Sequence, residues 1–198
     1  MKRMKLVLLL TLLSVSANLK AQSFKESKYK VKFYNYCDLN KRVTLICSSD
    51  TLSVTISNLN DSIFKYESVG YFGTKISYNR YKRELKYSNN FFDEESKSIR
   101  DYFVVKDIDF KNFEYGEKKI LVYRFLITNT KVDDGNILVF FCKEYGILLQ
   151  KPLGTNGLIR YEFIDDPAKN IMLNYLYAFI LSDNKFSYIQ NWKEIIKK

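Results

Sequence analysis

The chain contains no histidine, which removes the Ser-His-Asp and Cys-His routes to an activated nucleophile and the usual imidazole ligands of a metal. Chemistry would have to run on carboxylates, lysine, tyrosine or cysteine. Paired acids occur at Asp93-Glu94-Glu95, at Asp107 with Asp109, at Asp133-Asp134 and at Asp165-Asp166. Two carboxylates facing each other across a cleft could hydrolyse a glycosidic bond. Each pair also has a plainer place: the first turn of a helix, a strand end, a hairpin turn and a helix cap. No segment carries the alternating acids, central glycine and closing glutamate of a calcium loop. The sequence therefore assigns no catalytic residue, no metal and no cofactor, and points to a non-catalytic protein.

Two short matches fall to their context. Ser62-Ile63-Phe64-Lys65 fits S-x-x-K and Ser182-Asp183-Asn184 fits S-D-N, both known from penicillin-binding proteins and class A β-lactamases. Ser62 to Lys65 reads as strand and not as a helix start, and no K-T-G triplet follows.

The three cysteines, Cys37, Cys47 and Cys142, allow at most one internal bridge. A tight hairpin at Leu39-Asn40 would set Cys37 opposite Arg42 and Cys47 opposite Lys32. That puts the sulfurs about five residues apart along the ladder, roughly 17 Å, far beyond disulfide reach. The tight hairpin and a Cys37–Cys47 bridge exclude each other. Cys142 could join either one from a neighbouring strand, or all three could be buried small hydrophobes.

The best candidate for a binding surface is Tyr78-Asn-Arg-Tyr-Lys-Arg-Glu-Leu-Lys-Tyr87, which interleaves tyrosines with Arg80, Lys82, Arg83 and Lys86. Tyrosine stacks on a sugar or bonds through its hydroxyl, and the cations suit phosphate or carboxylate. As a strand the segment groups Arg80, Lys82 and Lys86; as a helix it groups Tyr78, Tyr81 and Leu85. Tyr78, Arg80, Tyr81, Lys82 and Arg83 are the candidate ligand-binding residues, and a merely solvated face is the alternative.

The elements that would hold these residues follow from periodicity. Leu52, Val54 and Ile56 alternate with Thr51, Ser53, Thr55 and Ser57, the pattern of a strand with one apolar face. Val43 to Cys47, Tyr29 to Tyr36, Ser62 to Val69 and Tyr71 to Tyr78 continue the series, with turn residues at 38–41, 58–61 and Gly70. Lys119 to Thr128 and Ile137 to Cys142 are nearly continuous apolar runs, which suit strands covered on both faces. Ile147 to Leu149 and Leu158 to Phe163 complete the ladder. Asp165 or Asp166 then caps a helix opened by Pro167, with Ile171, Met172, Tyr175, Leu176, Phe179 and Ile180 on one stripe. Phe186, Ile189, Trp192, Ile195 and Ile196 suggest a second, shorter helix, and Phe91 to Val104 a third.

The expected fold is an α+β domain over residues 22–198. It consists of a mainly antiparallel sheet, flat or strongly curved, reaching to Phe163, with a helical segment over about 165–197 packed on one face. Residues 1–21 read as an export signal: Lys2, Arg3 and Lys5 are cationic, Leu6 to Val15 is apolar, and Ala17 or Ala21 offers a cleavage site. The apolar run falls short of the roughly 20 residues of a spanning helix, so no transmembrane segment is expected after cleavage. Removing Lys2, Arg3, Lys5 and Lys20 with no acids lowers the formal net charge from +10 to +6. That suits an anionic partner, and a periplasmic or extracellular setting makes nucleic acid a poor one.

Asp50-Thr51-Leu52 and Asp61-Ser62-Ile63 look like the Asp-Ser/Thr-apolar O-glycosylation sites of exported Bacteroidota proteins, which makes Thr51 and Ser62 candidate modified residues. Together with the Ala-Gln cleavage context, the Lys/Asn/Tyr/Ile-rich composition and Phe140 to Leu149, the chain resembles small exported proteins of that phylum. The resemblance implies an address and carries no functional position. Three functions remain open: a non-catalytic envelope or secreted protein that binds an anionic glycan, lipid or protein; a lipid carrier with an apolar cavity in a curved sheet; and a carboxylate-based hydrolase of envelope glycans.

Overall fold

Side chains two residues apart in an extended chain share a face, so Leu52, Val54 and Ile56 turn one way and Thr51, Ser53 and Thr55 the other. The computed structural model describes residues 25–36, 46–60, 63–69, 74–79, 81, 84–89, 103–129, 135–155 and 157–197. In it Leu52, Val54 and Ile56 are buried while Thr51 and Ser53 are exposed. The same alternation runs through β1 (Lys25–Tyr36), β2 (Ile46–Asn60), β3 (Ile63–Val69), β4 (Thr74–Asn79) and β5 (Glu84–Asn89). The second series is β6 (Phe103–Tyr115), β7 (Lys118–Asn129), β8 (Ile137–Cys142), β9 (Gly146–Pro152) and β10 (Leu158–Phe163).

All ten strands form one antiparallel sheet in the order β5-β4-β3-β2-β1-β10-β9-β8-β7-β6. Two five-stranded meanders are thus joined by the first and last strands, with Val31 opposite Phe163. The sheet curls over on itself. β3 and β8 stand five places apart in the order, yet the rings of Phe64 and Phe141 stack at 4.5 Å. Tyr78 of β4 meets Tyr123 of β7 at 5.3 Å, and the two edge strands, β5 and β6, approach each other. Accumulated strand twist drives such closure. The space between the halves is filled by the buried rings of Phe64, Tyr66, Tyr78, Tyr123, Phe125 and Phe141. Gly146, at φ 79°, is part of that fit: a Cβ there would stand 2.6 Å from Cε2 of Tyr66.

The second half of the sheet is covered on its outer side as well, which is why β7 and β8 read as continuous apolar runs. Helix α1 (Pro167–Ser182) starts where the Asp166 carboxylate accepts the Lys169 N–H, with proline at the first helical position. It lays Met172, Leu173, Leu176, Tyr177 and Ile180 against β9 and β10. Asn170 bonds both backbone groups of Phe163, at 2.7 and 2.8 Å. Beyond the helix, the Asp183 carboxylate binds the Lys111 ammonium and accepts the N–H groups of Lys185 and Phe186. Arg124 of β7 donates to the carbonyls of Lys185 and Phe186, both at 3.1 Å. This stitching sets Phe186 on Phe113 and Phe140, at 5.7 and 5.6 Å. The aspartate of the S-D-N match is thus a clamp for the chain end.

The architecture is mostly antiparallel sheet with short helices near the C-terminus, an α+β arrangement weighted heavily toward strand. Three expectations are corrected. Tyr36 pairs with Ile46 and Lys32 with Thr51, so β1 and β2 are joined through residues 37–45 and not by a tight turn at Leu39-Asn40. In this register strand spacing no longer excludes a Cys37–Cys47 bridge; Cys37 itself and the side chain of Cys47 lie outside the described residues. Val104 belongs to β6 and not to a helix, while 91–102 lie outside the described residues. The last helix, α2, covers only Trp192–Lys197, and Phe186 and Ile189 are buried in the non-helical segment before it. The leader, residues 1–21, also lies outside the described residues. Among those described, no helix is long and apolar enough to cross a membrane.

Candidate functional site on the outer face of the first five strands

Alternation lets the first five strands turn their described lysines and most of their serine and threonine hydroxyls to water; Ser68 and Thr74 are buried instead, the Ser68 hydroxyl accepting the Thr74 N–H at 2.8 Å. Because the strands pair in register, these side chains form rows across the sheet. One row runs Glu26, Ser57, Lys65, Ser77, Lys86, and the next runs Lys28, Thr55, Glu67, Lys75, Ser88. Lys30 opposite Ser53 and Lys32 opposite Thr51 extend the face toward β10. Neighbouring strands lie about 4.8 Å apart, so Lys65 and Lys86, two strands apart, stand roughly 10 Å apart at the backbone.

Over β3, β4 and β5 this face dips into an open depression of about 260 Å³ lined by Lys65, Lys75, Lys86, Glu67, Ser77 and Ser88. Three cations meet one carboxylate there. Lys75 pairs with Glu67 at 3.0 Å and Lys86 with Glu84 at 3.3 Å. Lys65 has no ion-pair partner among the described residues. These pairs are half exposed or more, and solvent-exposed pairs contribute only about 0–1 kcal/mol. An incoming anion can replace the carboxylates at little cost, while the serine hydroxyls both donate and accept.

The Tyr78–Tyr87 segment proves to be a hairpin, and it divides the sequence candidates. Tyr78 points into the core, where it is 6% exposed and packs on Phe64 and Tyr123; it is not a surface residue. Tyr87 is buried too. Tyr81 stands at the turn between β4 and β5 with 77% of its surface exposed and does not line the depression. Arg80, Lys82 and Arg83 lie outside the described residues. Lys65 and Lys75 were missed by sequence reading. Their alternation with buried residues marked them as outward, but only the cross-strand register brings them beside Lys86.

The remaining candidates have structural surroundings. Thr51 is exposed on β2, its N–H bonded to the Asp50 carboxylate at 2.7 Å; Ser62 lies outside the described residues. Cys142 is a free, fully buried thiol whose Sγ donates to Glu144 at 2.8 Å, and burial pushes its pKa well up. Asp109 pairs with Arg124 at 3.2 Å. Asp166 caps α1, and the Lys169 N–H holds its carboxyl below the usual range. Asp93-Glu94-Glu95 and Asp133-Asp134 lie outside the described residues. Among those described, no group of three or more histidine, cysteine or acidic side chains is placed to hold a metal ion. No protein-family model and no curated protein matches the chain.

Proposed function

We propose that this is an exported, non-catalytic protein that binds an anionic glycan across the outer face of β1 to β5. The observation that carries the reading is the pair of in-register rows over β3–β5, which set Lys65, Lys75 and Lys86 around Ser77 and Ser88 in one open depression. Sugars bring hydroxyls and carboxylate or phosphate groups, and this face offers serine hydroxyls and ammonium groups to meet them. Tyr81, with Arg80, Lys82 and Arg83 around it in sequence, adds a ring for stacking.

Lipid carriage has less support, because stacked rings occupy the space between the two halves of the sheet. Glycan hydrolysis has less support too, since Asp109 and Asp166 are engaged in structural ion pairs and a helix cap. Export rests on the cationic start, the short apolar run and Ala21, together with the resemblance to exported Bacteroidota proteins. Its test is the N-terminus of the product: a protein recovered outside the inner membrane and beginning at Gln22 or Asn18 supports it, and an intact Met1 in the cytoplasm contradicts it. For the glycan, retention of the mature protein on an immobilised polyuronate column should fall as salt rises. Equal retention on a neutral glucan column would count against the reading.

A further inference from the structure

The outer face of β1 carries Lys28, Lys30, Lys32, Tyr34 and Tyr36 at every second residue, about 6.8 Å apart along the strand. Where this row runs beside β10, Tyr34 stands directly opposite Arg160, and Lys32 is one outward position back. Residues diagonal across an antiparallel pair are about 7–8 Å apart, so both cations border the Tyr34 phenol. The Lys32 ammonium lies over the Tyr34 ring, 5.1 Å from its centroid, although Glu162 is its partner in register. Lys32, Tyr34 and Arg160 are all partly exposed.

Arg160 is held in place from α1. Its guanidinium lies 4.4 Å from the centroid of the Tyr177 ring, and one of its nitrogens donates to Asn174 Oδ1 at 2.7 Å. A guanidinium carries five N–H donors, and fixing its plane before a ligand arrives lowers the ordering cost of binding. The foot of α1 thus brings together what a carboxylate takes: a fixed planar donor, an ammonium on a flexible stem and a phenol hydroxyl.

We propose that Lys32, Tyr34 and Arg160 form a second anion subsite, and that it takes a carboxylate of the same glycan chain that fills the depression over β3–β5. This rests on the glycan reading and adds to it the path and length of the ligand. Lys75 and Lys28 share a row, three strands apart, and Tyr34 lies six residues beyond Lys28, so the path over the surface is roughly 25 Å. Lys28 and Lys30, with Thr55 and Ser53 opposite them on β2, line it. A ligand that touches both subsites is therefore an acidic polymer and not a short or terminal sugar.

Titration calorimetry of the mature protein at low salt, with trigalacturonate, too short for this path, and with octagalacturonate, long enough for it, tests the proposal. The octamer is expected to bind at least ~10-fold tighter, the gain of linking two contacts. Lys32→Gln and Arg160→Gln should each remove most of that gain and leave the trimer, held in the depression, unchanged. Lys193→Gln, an equal loss of charge on α2, should change neither ligand. Lys32 packs in no core, so its variant keeps the fold, and an unchanged melting temperature checks it. Equal affinity for octamer and trimer overturns the subsite while leaving the depression standing, and so does an octamer gain that survives both substitutions. A loss matched by Lys193→Gln overturns it too, as attraction by net charge alone. Wild-type protein that binds neither oligomer overturns the glycan reading and this proposal with it.

Discussion

Phe64 of β3 lies flat on Phe141 of β8, with ring centroids 4.5 Å apart and planes 11° from parallel, although the two strands belong to different meanders. This contact closes the fold. Truncating either ring to alanine should cost about 3–5 kcal/mol, and the double variant should show a coupling of about 0.5–1.5 kcal/mol. Urea unfolding of the four proteins measures it. Strict additivity would mean that the two halves of the sheet do not meet through these rings.

Gly146 should tolerate no side chain. Its φ of 79° is left-handed, and the added Cβ would approach Cε2 of Tyr66 to 2.6 Å and the Tyr29 hydroxyl to 2.9 Å. Gly146→Ala is expected to destabilise the protein by about 2 kcal/mol or more. Gly154 also has a left-handed φ but meets nothing within 4 Å, so Gly154→Ala should lose only the backbone part, about 1 kcal/mol. Equal losses at the two sites would contradict the packing around Tyr66.

Alkaline pH should unfold the protein. Burial raises the pKa of Tyr29, Tyr66, Tyr161 and Tyr177 above the ordinary value of 10.0. Below pH 10 both states keep these protons and stability is unaffected. Above it the unfolded chain releases them while the folded one does not, so the folded state binds more protons and stability falls as pH rises. Tyrosine ionisation followed near 295 nm should then coincide with loss of near-ultraviolet dichroism. Ionisation of all the tyrosines along one ordinary curve, complete by about pH 12 with the fold intact, would contradict this burial.

The Cys142 thiol should be silent in the native state. It is fully buried, and desolvation raises its pKa, with Glu144 beside it adding to the shift. Native protein treated with iodoacetamide at pH 8 should carry no label on Cys142, and urea should expose it. Rapid native labelling at that position, read by peptide mass spectrometry, would place the thiol at the surface.

Much of this architecture was legible in the chain. Where Leu52, Val54 and Ile56 alternate with hydroxyls, and where Pro167 follows Asp166, local chemistry has one sensible outcome, and β2 and α1 follow. The doubly covered β7 and β8 were legible as well, since a residue like Phe125 beside Leu126 has no wet face to use. Three things were not. Tyrosine suits both core and surface, so nothing local tells that Tyr78 turns inward while Tyr81 turns out. β6 carries Asp109, Lys111 and Asn112 among its apolar residues, and residues of low strand propensity hide a strand whose pairing with β7 decides the matter. The pairing of β1 with β2 depends on loop length, which alternation leaves open in steps of two. The binding face shared that fate: Lys65, Lys75 and Lys86 are scattered along the sequence and become neighbours only through two registers.

The proposed anionic-glycan site is Lys65, Lys75 and Lys86, set in register around Ser77 and Ser88. All three are exposed, so reversing them together should change stability little, within about ±0.5 kcal/mol per site. Titration calorimetry of the mature protein with polygalacturonate at low salt should give saturable binding. Lys65→Glu, Lys75→Glu and Lys86→Glu combined should abolish it while the melting temperature holds. Undiminished binding by that folded triple variant would contradict the claim.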